Sequence, residues 1–138
     1  GEALARRLIH RGESVALLGR DAVRLGELSD ELGQPNRVVD ISSSESVEVS
    51  LASAAAELGG LDAVVNCIGS VLLKAAHLTS DAEFRETVEI NLFSAFAVVR
   101  AGAKLLQERG GSIVLFASSA ARRSASPTTR QSLPPRRV

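Results

Sequence analysis

LDAVVNCIGS, residues 61–70, opens with five residues that fit a short buried strand, Leu61 to Val65. Asn66 ends the apolar run, and the chain turns into a loop through Gly69. A brief apolar run bounded by turn formers marks a strand covered on both faces, as in parallel sheets. The patterns on either side alternate helix with strand. Together they predict an α/β fold, a doubly wound parallel sheet with residues 61–65 as its central strand. Such sheets bind ligands at the carboxyl ends of their strands, which places Asn66 and Gly69 where chemistry is expected.

Upstream, Glu2 to His10 carries Ala3, Leu4, Leu8 and Ile9 at helical spacing, with Gly12 as the stop. Val15 to Leu18 is a short apolar strand that ends at Gly19-Arg20. Asp21 is a good cap for a second helix, Ala22 to Leu32, closed by Gly33 and Pro35. Arg37 to Ile41 is the next strand, and Ser42 with Glu45 forms a capping box for a third helix, about Ser43 to Leu58. Downstream, Ser80 with Glu83 opens one long helix from Asp81 to about Glu108. Its positions Val88, Leu92, Phe96, Val99, Ala103 and Leu106 face the sheet or a partner. Ser112 to Ala117 is a further apolar strand, ending in Ser118-Ser119. The succession demands right-handed crossovers. Beyond Ala121 periodicity vanishes. Residues 122–138 hold five arginines, no acid and three of the four prolines, which predicts a disordered basic tail after a partial dinucleotide-binding domain at 1–121.

Composition narrows the function classes. With 138 residues the chain fits one domain, and sixteen basic residues cancel sixteen acidic ones. That balance argues against nucleic acid or an anionic membrane as partner. One cysteine, Cys67, cannot form an internal disulfide, so a reducing cytoplasm is the natural setting. Cys67 has no neighbouring base in sequence and reads as a small buried side chain. No apolar run is long enough for a membrane span, and no signal peptide is visible. His10 and His77 lack ligand spacing, so no metal is expected, and His10 reads as a helix-surface residue. The chain begins at Gly1 and contains no methionine, which reads as a cut N-terminus.

Five features, in this order and spacing, resemble the short-chain dehydrogenase/reductase family. Gly1 ahead of EALARRLIHRG resembles the last glycine of a dinucleotide-binding turn and the helix it opens; on that reading the first strand is missing. Asn66-Cys67-Ile68-Gly69 resembles the family's Asn-Asn-Ala-Gly segment, and Asp40-Ile41 its Asp-hydrophobic pair beside the adenine. Asn91, inside EINLFSAFAVVR, resembles its helical asparagine. Gly111 to Ser119 resembles the strand that ends in its catalytic serine. The resemblance covers Gly1 to about Ala121. It implies a Rossmann-like fold and hydride transfer between a nicotinamide and a small carbonyl or alcohol. Ser119 would hydrogen-bond the substrate oxygen, and Asn91 would hold water in a proton relay. Without the resemblance, Ser119 reads more often as a helix N-cap, and Asn91 could simply be exposed. The resemblance implies dimerisation through the long helix holding Asn91 and the helix that follows the serine strand, so the parent protein is expected to be a homo-dimer or homo-tetramer. After the second strand, NAD-specific folds carry an acid; here Gly19 holds that place and Arg20 follows, which favours NADP over NAD.

The pattern breaks past the serine. The family's proton donor is a tyrosine thirteen residues beyond it, followed four later by a lysine; here those places hold Ser132 and Arg136. The chain contains no tyrosine, and its last lysine is Lys104. This implies that the polypeptide as it stands is inactive. A one-base shift in a suitably chosen coding sequence for residues 127–138 yields an alanine-rich helix with lysine at the Arg136 position. On that reading the tail is out of frame after about Ala121. Two other functions stay open: a noncatalytic NAD(P)-binding or sensing domain, and an interaction protein whose basic tail contacts an acidic partner.

Overall fold

The structure, a computed structural model, describes residues 1–118. Ser119 and the 122–138 tail, with the expectations attached to them, lie outside the described residues.

Helix α1 (Glu2–His10) follows Gly1 directly and ends at Gly12, whose φ is 85°. Strand β1 (Leu17–Gly19) comes next, then helix α2 (Ala22–Leu32), capped by Asp21, which accepts from the Arg24 N–H at 3.1 Å. Strand β2 (Asn36–Val38) starts after Pro35 and pairs parallel to β1, Leu17 against Asn36. Helix α3 (Ser44–Leu58) leads to strand β3 (Ala63–Asn66). A 3₁₀ turn (Ala76–Leu78) precedes helix α4 (Asp81–Val88), a π-turn (Glu89–Phe93), helix α5 (Ser94–Leu106) and strand β4 (Ser112–Leu115). β4 pairs parallel to β3, Val64 against Ile113.

The expected α/β alternation holds, with shorter strands and two corrections. The cap of α3 is Ser43, which accepts from the Ser46 N–H, and there is no Ser42–Glu45 box. Ser42 is drawn away by Asp40, whose Oδ1 accepts from its backbone N–H at 3.0 Å and from its hydroxyl at 2.7 Å. The single long helix is α4, a π-turn and α5. Two polar side chains favour that insertion by taking carbonyls: Asn91 Nδ2 donates to Thr87 O at 2.9 Å, and Ser94 Oγ to Ile90 O at 2.5 Å. The Ser80–Glu83 capping box forms as the sequence implies. Among the described residues the strands form two parallel pairs, β1–β2 and β3–β4, as expected of an incomplete doubly wound sheet.

One apolar layer spans both pairs. Val39 beyond β2, Val47 and Leu51 of α3, Val64 of β3, and Ala97, Val98, Ala101 and Leu106 of α5 form a single buried cluster, with Leu18, Ile41 and Ile113 against it. A smaller cluster, Ala5, Leu17 and Leu25, seats α1 and α2 on the other face of β1. The outer stripe Val88, Leu92 and Phe96 is exposed, and Leu106 alone of the six long-helix positions read from the sequence is buried. Among the described residues, no helix is long and apolar enough to cross a membrane.

Gly111 tests the β3–β4 joint. Its φ is 148°, and a Cβ there would stand 2.5 Å from Asp62 O, the acceptor of the Ser112 N–H that starts the ladder. Gly111→Ala is expected to cost about 2–4 kcal/mol of unfolding free energy, strain and collision together. Gly12→Ala, where φ is 85° but nothing lies within 4 Å, should cost only about 1 kcal/mol. Chemical denaturation of the two variants checks the difference.

Candidate functional site

Parallel strands bring their carboxyl ends to one edge of each pair, and Arg20, Asp40, Ile41, Asn66 and Gly69 follow or end those strands. Arg20 follows Gly19 at the end of β1, exposed and in no ion pair among the described residues. Beside it, Val39 N–H donates to Gly19 O at 2.9 Å and leads to Asp40. Hydrogen bonds from the Ser42 side chain and backbone hold the Asp40 carboxyl below its ordinary value. Ile41 is half-buried against the main core.

At the end of β3, Asn66 is buried at 6% exposure, and its Oδ1 accepts from the Ile68 N–H at 3.0 Å. This is an Asx turn: the side chain closes the loop that the strand cannot continue. Cys67 then points outward and is exposed, which corrects its reading as a buried side chain. Side chains alternate at a strand end, so burying Asn66 turns Cys67 away from the core. Its Cβ lies 3.7 Å from where a Cβ on Gly1 would sit, so the start of α1 stands at this same edge.

Asn91 closes the arrangement. From the π-turn its Oδ1 accepts from the Ser70 N–H at 2.9 Å, and its Nδ2 donates to Ser70 Oγ at 3.1 Å and to Thr87 O. Both amide protons are thereby committed, and Oδ1 keeps one lone pair. A Cβ on Gly69 would approach Asn91 Oδ1 to 3.4 Å, so the glycine lets the turn lie against the helix. Asn66, Gly69 and Asn91 thus form one contiguous unit, while Arg20 and Asp40 stand together on the β1–β2 edge.

Sequence reading missed the partners of this unit. Ser70 and Thr87 gave no motif. Nor did Lys74, whose Nζ bonds both Glu83 oxygens at 2.7 and 2.9 Å. Only the capping box pointed at Glu83, and it says nothing about a loop lysine. Lys74 first, then the Ser80 backbone and hydroxyl, bring the Glu83 carboxyl down to about 2. The loop after Ser70 is therefore clamped at two points onto α4 and the π-turn.

A dinucleotide's needs fit several of these groups. A helix N-terminus opens at Gly1, a guanidinium with no ion pair among the described residues stands at Arg20, and a side-chain-free position at Gly69 permits close approach. Among the described residues, no cluster of three metal-ligating side chains occurs.

The profile of a protein family described as Enoyl-(Acyl carrier protein) reductase matches residues 1–130. The NADP-dependent 3-hydroxy acid dehydrogenase YdfG of Shigella flexneri is 33% identical over 124 residues, 87% of this chain and 50% of the relative. D-threitol dehydrogenase of Mycolicibacterium smegmatis is 31% identical over 127 residues, 88% of this chain and 49% of its own length. The chain spans about half the length of the curated relatives it matches. Serine dehydrogenase from Escherichia coli superposes with a TM-score of 0.84 at 32% identity, covering 91% of this chain and 60% of that one. A closed form of serine dehydrogenase complexed with NADP+ gives a TM-score of 0.85 at 31% identity, with coverages of 94% and 54%.

The Lys74–Glu83 clamp has a pH signature. A carboxyl lowered from 4.5 to about 2 in the folded protein stabilises it above the unfolded value. The contribution fades as pH falls from 4.5 towards 2. Thermal unfolding of the wild type and Glu83→Gln should differ near neutrality and converge across that window. A difference unchanged at the acid end would show that the clamp is not ionic.

Proposed function

The chain belongs to the short-chain dehydrogenase/reductase family, and from that membership we propose that it is the cofactor-side part of an NADP-preferring oxidoreductase. The parent enzyme reduces a carbonyl or oxidises an alcohol on a small molecule. The observation that carries the reading is the hydrogen-bonded unit Asn66–Gly69–Ser70–Asn91 at the carboxyl edge of β3. It presents a backbone turn without a side chain, held rigid from behind, where a flat ring must lie.

Each residue then has a task. The free N–H groups at the start of α1, beside Gly1, favour the pyrophosphate. Arg20 pairs with the 2′-phosphate of the adenosine ribose, while Asp40 and Ile41 border the adenine. Asn66 fixes the turn, and Gly69 allows close approach. Asn91 positions that turn; with both amide protons committed, it has one lone pair left for a water. Ser119 hydrogen-bonds the reacting oxygen. NADP(H), when bound, supplies or accepts the hydride.

What the polypeptide lacks is a proton donor of the expected kind. Reducing a carbonyl leaves an alkoxide that must be protonated, and a positioned acid contributes roughly 10²- to 10⁴-fold. Ser132 is a poor acid, and an arginine at 136 keeps its proton near neutrality. The absence of any tyrosine favours, for the 138-residue chain alone, nucleotide binding without turnover. The exposed stripe Val88, Leu92 and Phe96 suits a helix-to-helix contact in a dimeric or tetrameric parent.

Two experiments test the reading on the chain as it is. Titration with adenosine 2′,5′-bisphosphate and with 5′-AMP, followed at the Gly19 to Asp21 amides, should show preference for the bisphosphate. Arg20→Ala should remove that preference, a loss of roughly ten- to a hundredfold in affinity for one charge-assisted contact. Equal affinities in the wild type would sink the NADP assignment. Separately, the purified chain with NADPH and a panel of ketones and aldehydes should consume no reduced cofactor. Turnover that disappears in Ser119→Ala would refute inactivity and place the serine in the site.

A further inference from the structure

A network of charged side chains joins the first turns of α1 and α2. Arg6 holds Glu31 through two bonds of 2.6 and 2.7 Å, and grips Glu2 Oε1 through Nε and Nη2 at 3.1 and 3.0 Å. Glu2 Oε2 takes one further contact, 3.3 Å from Arg24 Nη2. Arg6 first, then Arg24, hold the Glu2 carboxyl below its ordinary value. The Arg24 contact is the loosest of the set, being single, the longest, and made by a side chain that is 77% exposed. A pair so open to water contributes little to stability, so Arg24 leaves it at low cost.

Arg24 also stands within one turn of Arg20, with the Asp21 cap between them. Arg20 and Asp21 carry opposite charges, so the pair offers an incoming anion no net charge. Asp21 is not released, because its Oδ1 caps α2 by accepting from the Arg24 N–H. A phosphate dianion at the end of β1 is therefore better held with a second cation. Arg24 is the only basic residue that α2 supplies. Facing it from the first turn of α1 is the Glu2 carboxylate, a partner of the same charge sign as a phosphate.

We propose that Glu2 is an internal competitor for the 2′-phosphate of NADP(H): its carboxylate engages Arg24 in the unliganded protein, and Arg24 passes to the phosphate on binding. Arg24 is then a second binding residue beside Arg20, and Glu2 is a positioning residue that acts through it. A planar guanidinium suits this exchange, since carboxylate and phosphate oxygens accept from it in the same geometry. A nucleotide without the 2′-phosphate leaves the Glu2–Arg24 contact in place. Preference for the phosphorylated form thus depends on how tightly Glu2 retains Arg24, and not on Arg20 alone. This inference deepens the NADP reading and rests on it.

The test is calorimetric titration of the 138-residue chain and its variants with adenosine 2′,5′-bisphosphate and with 5′-AMP at one fixed salt concentration. Arg24→Ala should weaken the bisphosphate by roughly three- to tenfold and leave 5′-AMP unchanged, and Arg24→Lys should recover part of the loss. Glu2→Gln should tighten the bisphosphate by roughly two- to threefold, again without effect on 5′-AMP. In the Arg24→Ala background the same Glu2→Gln change should have no effect, an outcome that a merely structural role for Glu2 does not produce. If the preference for the bisphosphate is lost in Arg20→Ala but undiminished in Arg24→Ala, the proposal is overturned and the NADP reading stands. Equal affinities in the wild type overturn both. A Glu2→Gln change that fails to tighten the bisphosphate, or that acts the same without Arg24, overturns the proposal as well.

Discussion

The close approach of α5 to β3 and β4 governs the site. At Gly102 a Cβ would stand 3.2 Å from Val64 Cγ2 and 3.3 Å from Ile113 Cδ1, so the helix rests on the sheet by its backbone. Small neighbours continue the contact, with Ala97 and Ala101 almost wholly buried. Packing this tight cannot slide, because interiors at crystal-like density leave no room. The helix axis is therefore fixed, and with it the π-turn at its start. Asn91 reaches Ser70 because Gly102, eleven residues on, lets the helix lie so low. A larger side chain at that position would lift α5, and the turn after β3 would lose its support.

The two edges of the strands are built from different chemistry. Turns that enter strands rely on left-handed backbone: Gly12 before β1, Gly33 before β2, Gly59 and Gly60 before β3, Gly110 and Gly111 before β4. Turns that leave strands rely on side chains instead. Asp21 caps α2 after β1, Asp40 and Ser43 order the turn into α3 after β2, and Asn66 closes the loop after β3. Short carboxylate and amide side chains can satisfy nearby backbone N–H groups, which keeps the chain ordered without glycine's conformational freedom. The consequence is an edge lined by polar side chains with fixed directions.

Legibility in the sequence followed the range of the interactions. The order of helices and strands was readable from local apolar spacing, and caps such as Asp21 and the Ser80–Glu83 box were readable from three-residue patterns. Asn66, Gly69 and Asn91 stood out by resemblance, but their contact did not. Residues 69 and 91 meet only because a π-turn shifts the helix phase, and that shift depends on Asn91 and Ser94 each capturing a carbonyl. The Ser42–Glu45 box failed for a related reason. Asp40, two residues earlier, competes for Ser42 and wins by accepting twice. Cys67 was misjudged because its hydrophobicity outweighed strand parity, although Asn66 next to it had to face inward to form its turn. Lys74 was invisible, since an ion pair nine residues apart leaves no periodic trace.

Among the described residues, the two strand pairs meet through the helices. Among the described residues no ladder joins β1 to β3, and the pairs are tied through α3, whose Val47 and Leu51 sit in the same cluster as Val39 and Val64. The opposite layer is thin: Ala5, Leu17 and Leu25 are its only fully buried members among the described residues. Surface ion pairs add to it, Arg6 reaching Glu2 and Glu31, but exposed pairs contribute little to stability. The β1–β2 side, with Arg20 and Asp40, is thus held more weakly than the β3–β4 side with Asn66 and Asn91. A dinucleotide laid along the carboxyl edges would touch both sides at once. Its binding free energy would then be spent partly on fixing their relation, which makes affinity here a measure of how well the two halves are joined.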